Sequence, residues 1–196
     1  MMIKLAGAAL DAGALVALVA LLSGCIPLMV AGGVAAGAAV ATDRRTTGSQ
    51  VDDELIEDKL SFNVRERFKG DFHVNITSYN GIVLLTGEVP AEAARADIAE
   101  LARSTSKVRS VQNELVIGPV TDLGSRSNDT LITSKVKTRF VEANKFQINH
   151  VKVVTERGVV FLMGVVRRGE GEAAAELAST TSGVQRVVKV FEYFVG

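Results

Sequence analysis

One cysteine, no tryptophan, three prolines and two histidines among 196 residues set the first limits on this chain. A lone thiol cannot close an intramolecular disulfide, so a disulfide-stapled framework is excluded. His73 and His150 fall at equivalent places ahead of two apolar runs, and no cysteine or close acidic cluster accompanies His150. A metal site needs several ligands in set geometry, so both histidines are expected in surface or loop positions and no metal is expected. There is no net charge either, with 22 basic residues against 22 acidic ones. That balance lacks the signature of a nucleic-acid-binding chain, and no nucleic-acid partner is expected. Gly-rich phosphate loops, Cys/His ligand spacings and a nucleophile elbow are all missing from the sequence. No catalytic residue and no cofactor is therefore expected.

The neutral total hides a division. Residues 51–119 hold 12 acidic and 8 basic side chains, whereas residues 120–196 hold 8 acidic and 11 basic ones. An anionic partner would meet the second half; a solvated surface would show the same modest excess.

What the sequence has in plenty is apolar residues near its start. Met1 to Gly24 reads as an export signal, with Lys4 as the only positive charge of a short leading region and an apolar stretch from Ala12 to Leu22. Leu22-Ser23-Gly24-Cys25 resembles a lipobox, in which small residues fit a narrow protease cleft and the thiol then takes a thioether-linked diacylglycerol. This assigns lipidation to Cys25. The other reading is a membrane-spanning helix, since residues 12–41 are almost wholly apolar and long enough to cross a bilayer of about 30 Å. Pro27 and the glycines at 32, 33 and 37 weaken such a helix. Ile26 after the cysteine favours the outer membrane in lipoprotein sorting of the enterobacterial kind.

Beyond residue 48 the sequence repeats itself. Asp53, Ile56, Lys59 and Leu60 recur 76 residues later as Asp129, Ile132, Lys135 and Val136. The run from Val74 through Asn80-Gly81 to Gly87 recurs from Val151 through Arg157-Gly158 to Gly164, and Val108/Val111 recur as Val184/Val187. Three segments in one order mark a duplication of a unit whose size is that of a marginal domain. Each unit opens on a helix, with Asp53 or Asp129 expected as its N-cap and a buried stripe of Ile56/Leu60/Val64 or Ile132/Val136/Phe140. Two strands joined by a tight turn follow, then an Ala-rich helix (91–103; 170–179) and a last strand (108–117; 184–194). The order αββαβ predicts an α+β fold, with two helices on one face of a three-stranded mixed sheet in each unit. The expected organisation is a signal peptide over 1–24, a lipidated tether over 25–48, a first module over 49–118, a linker over 119–126 and a second module over 127–196.

These repeated residues, with Asn80-Gly81…Leu85-Thr86-Gly87 and Gly158…Phe161-Leu162-Met163-Gly164, resemble the BON-domain family. The layout as a whole is similar to outer-membrane lipoproteins with two such domains. The resemblance implies a non-enzymatic protein on the periplasmic face of the outer membrane that binds anionic phospholipid, phosphatidylglycerol-like in charge, and supports envelope integrity. An adaptor for an outer-membrane assembly protein is the alternative.

The first helices of the two units differ in charge, and the difference nominates a site. Residues 130–141 carry Lys135, Lys137 and Arg139 and no acid, whereas residues 53–64 are acidic. With Ile132, Val136 and Phe140 turned to the sheet, Leu131, Ser134, Lys135, Thr138 and Val141 point away at about 100° per residue, and Lys137 lies at the flank. Apolar groups between cations suit an anionic membrane surface. Packing of Leu131 on the other module would account for the same pattern, since Leu55 is its equivalent.

Overall fold

A computed structural model describes residues 43–70 and 72–194. Cys25, the signal segment and most of the apolar tether lie outside the described residues.

The first module runs α1 (Thr47–Arg67), β1 (His73–Tyr79), β2 (Ile82–Val89), α2 (Glu92–Arg103), β3 (Ser110–Asn113) and β4 (Val116–Ile117). The second runs α3 (Leu123–Ala143), a short 3-10 turn, β5 (Lys152–Glu156), β6 (Val159–Val166), α4 (Arg168–Ser179) and β7 (Arg186–Tyr193). In each, the central strand pairs antiparallel with the strand before it and parallel with the last one. The mixed α+β sheet with two helices is as expected. In module one the last strand is interrupted at Glu114-Leu115, where Leu115 turns into the core at 2% exposure, and pairing with β2 resumes at Val116.

The expected buried stripes form, but the expected caps do not. Thr46 caps α1 by accepting the Ser49 N–H at 3.0 Å, and Asp122 caps α3 by accepting the Ser125 N–H at 2.9 Å. Both helices therefore start about two turns ahead of Asp53 and Asp129, and α3 begins within the segment read as linker. The first two turns carry no buried apolar residue, so no hydrophobic period announces them. Asp53 and Asp129 sit instead on the buried side of their helices, 3% and 5% exposed. The Asp53 carboxylate accepts the backbone N–H groups of Asn80 and Gly81 at 2.7 and 2.8 Å and the Ser78 hydroxyl at 2.6 Å. Asp129 accepts the N–H groups of Arg157 and Gly158 at 2.7 and 2.8 Å. Both central residues of each turn have positive φ, which exposes two amides to one acceptor. The acid thus ties the helix to the hairpin.

Along β2, Val83, Leu85 and Val89 point to α1 and α2, as Val160, Leu162 and Val166 on β6 point to α3 and α4. The alternate residues form a third core: Leu84 and Tyr79 of module one meet Phe161 and Met163 of module two. The two sheets pack face to face, and the body has four layers, helix–sheet–sheet–helix, within one compact unit. Around this core two bridges are reciprocal. Arg109, just ahead of β3, meets Glu192 near the end of β7 at 2.7 Å, and Arg186 at the start of β7 meets Glu114 just past β3 at 3.4 Å. Glu88 is fully buried and accepts both the N–H and the hydroxyl of Thr121, which pins the chain between the modules.

A strap formed by residues 43–45 closes the junction. Arg44 donates to both carboxylate oxygens of Glu170 at 2.5 and 2.8 Å, donates to the Val165 carbonyl, and stacks 4.4 Å from the Phe194 ring centre. Arg45 bonds Asp43 and Asp53 and lies 3.9 Å over the Tyr79 ring. The strap thus joins module one to module two. The Arg44 hydrogen bonds bring the Glu170 pKa down to about 2. A carboxylate depressed in the fold contributes stability that is complete above its unfolded value and is lost as pH falls towards the folded one. Denaturant titrations between pH 4.5 and pH 2 should therefore show a steeper loss of stability in the parent than in Glu170→Gln; equal slopes would contradict it.

Candidate membrane-docking face

The nominated residues lie together on the outer layer of module two. Leu131 and Val141 are 59% and 62% exposed, so Leu131 does not pack on the other module. Ser134, Lys135, Lys137 and Thr138 are exposed beside them. Lys135 and Lys137 make no ion pair with any described residue. Arg139, counted with them in the sequence, is committed elsewhere: its guanidinium donates to the Leu177 carbonyl and to the Thr180 and Thr181 hydroxyls at 2.8–3.1 Å. It ties α3 to α4, which leaves two cations for a partner rather than three.

Two features of this face escape the sequence reading. Leu123, 78% exposed, is the most exposed large apolar residue among those described. It stands in line with Leu131 and Val141, within about 80° around the helix. An Asp followed by a leucine was the available signal, obscured because the segment reads as linker. The second feature is a ladder of hydroxyls folded back on the helix. Ser127, Thr130, Ser134 and Thr138 each donate to the carbonyl four residues earlier, at 2.9–3.1 Å. Hydroxyls satisfied in this way need less from water, so this surface sheds its hydration at lower cost than its composition implies. The result is an apolar stripe between two uncommitted ammonium groups.

The other recesses have a different character. A cleft of about 490 Å³ at the module junction is lined in part by Glu114, Asp129, Glu156, Arg157 and Arg186. Its charged groups are engaged by neighbouring side chains or by the backbone: Glu156 accepts from Asn75 at 2.7 Å and faces His73 at 3.8 Å. Burial pushes the Glu156 carboxyl above its usual range against the pull of Asn75 and His73. His150 is buried, at 6% exposure, and not at the surface; its backbone carbonyl packs against Gly164. Among the described residues, no group of three or more His, Cys, Asp or Glu side chains is placed to hold a metal ion, and no helix is long and apolar enough to cross a membrane.

The chain matches the BON domain twice, over residues 52–119 and 128–193. It belongs to the BON family. The two BON modules account for all of the secondary structure described above apart from helix ends. The chain is 41% identical to the outer membrane lipoprotein DolP of Haemophilus influenzae over 88% of its own length and 90% of that protein's. It is 35% identical to a 21 kDa hemolysin of Actinobacillus pleuropneumoniae, covering 77% and 79% of the two chains. It is also 26% identical to the osmotically-inducible protein Y of Escherichia coli, covering 78% of each.

Proposed function

We propose that this protein is a lipoprotein of the outer membrane, anchored through Cys25 and facing the periplasm, that lays the outer face of α3 on anionic phospholipid and thereby supports outer-membrane integrity. The observation that carries this reading is the stripe of Leu123, Leu131 and Val141 set between Lys135 and Lys137, neither of which forms an ion pair with a described residue. Juxtamembrane cations contribute about 1 kcal/mol each at an anionic surface. With the apolar stripe they give a contact measurable without the anchor, and an acyl anchor strengthens it by raising the local concentration. The name of the Haemophilus relative supports the location and the lipid anchor. The role proposed is binding rather than turnover.

Co-sedimentation of residues 42–196 with vesicles tests this without the anchor. Binding is expected on phosphatidylglycerol-containing vesicles, weaker at high salt, and absent on phosphatidylcholine alone. Lys135→Glu/Lys137→Glu should weaken it by at least about 30-fold, given about 1 kcal/mol for each charge removed. Leu131→Glu should weaken it as well. Binding indifferent to lipid charge, or unchanged in these variants, would sink the proposal.

A further inference from the structure

The outer face of α1 carries its own apolar stripe. Val51, Leu55 and Phe62 are 50%, 59% and 65% exposed, and at about 100° per residue they fall within about 40° of one another. Glu54, Asp58 and Glu66 flank them, with Lys59 and Arg65. None of these five makes an ion pair with a described residue. Single exposed apolar residues are ordinary, but three aligned along one helix face, one of them a phenylalanine, have the character of an interface centre.

The two opening helices began as copies and have diverged in opposite senses. Leu55 and Lys59 persist as Leu131 and Lys135, but Glu54, Asp58 and Phe62 stand where α3 has Thr130, Ser134 and Thr138. Acids beside the α1 stripe would be repelled by anionic headgroups, so lipid is a poor occupant for it. A basic amphipathic helix is a good one, and this chain carries such a helix in α3. The four-layer body puts α1 and α3 on opposite outer layers. No molecule can therefore bring its own two helices together, whereas two molecules can.

We propose that the outer face of α1 docks on the outer face of α3 in a second copy of this chain. Phe62 and Leu55 lie against Leu131, Val141 and the threonine methyls, with Glu54 and Asp58 towards Lys135 and Lys137. The surfaces joined are different, so the contact is heterologous and continues into rows instead of closing at two. Two helices crossing on one stripe bury less than the roughly 1,200 Å² at which specific interfaces become stable. Association is weak in solution, and an α3 face laid on lipid is closed to it, so the two contacts compete for one surface.

Analytical ultracentrifugation of residues 42–196 at low salt, from about 10 μM to about 1 mM, tests the contact with no lipid present, so its outcome is independent of the membrane reading. The parent should show an average mass that climbs with concentration. Phe62→Glu, Asp58→Lys and Lys135→Asp should each lower the association constant at least tenfold while leaving the melting temperature unchanged. An equimolar mixture of Asp58→Lys and Lys135→Asp should recover association to within about threefold of the parent, because each variant's altered helix then meets a complementary charge. A parent that stays monomeric throughout, or a mixture that does not recover, overturns the proposal.

Discussion

Replacing Asp53 by alanine is expected to lower the unfolding free energy by about 3–5 kcal/mol, the range seen when one partner of a buried charged network is removed. The carboxylate is almost completely buried and serves two turn amides, the Ser78 hydroxyl and the Arg45 guanidinium. All four lose their acceptor together, and Arg45 keeps only Asp43. Asp129→Ala should cost about half as much, since the described contacts of Asp129 are the two turn amides alone. Urea unfolding of the two variants measures the difference. Equal losses would show that the strap and the serine contribute nothing through Asp53.

Gly87→Ala should be at least as damaging, at about 4 kcal/mol or more, for a steric reason. Gly87 has φ +111°, and an added Cβ would stand 2.0 Å from the His73 carbonyl oxygen across the β1–β2 pair. Neither the backbone conformation nor the space admits a side chain. Gly164 repeats the close approach but not the positive φ, with a Cβ 2.2 Å from the His150 carbonyl oxygen. For a body of about 150 residues, 4 kcal/mol corresponds to roughly 8–16 °C in melting temperature. A loss below about 1 kcal/mol would mean that the hairpin can open there without disturbing the core.

The parts of this fold that could be read in advance are those in which burial imposes a period. Ile56/Leu60/Val64 and Ile132/Val136/Phe140 point to one side because an α-helix has one buried side, and Asn80-Gly81 forms a turn because its positive φ values suit few other pairs. The exposed beginnings of α1 and α3 bury no apolar residue, so no period in the sequence marks the helix starts, and the two aspartates about two turns later look like caps. The face-to-face packing of the modules was hidden for the opposite reason. A strand buried on both faces is apolar throughout, as Val83-Leu84-Leu85 and Val160-Phe161-Leu162-Met163 are, and loses the alternation that would show what covers each side. Of the α3 face, the exposed residues followed from helical geometry. The commitment of Arg139 to α4 and the back-bonded hydroxyls depend on tertiary contacts and rotamers, which a linear sequence does not display.

The bridges between the last strands, each from the start of one strand to the far part of the other, join two like bodies whose helices face outward. A true pair of identical modules joined in this way would show the same helix on both of its outer sides, and whatever one side gripped, the other would grip too. Such a particle is a cross-linker by construction, able to glue two bilayers or to clump on one partner. Joining the copies in a single polypeptide removes that obligation, because each helix then has its own codons. The acids around Phe62 and the lysines around Leu131 are what that freedom has produced: a body with a front and a back.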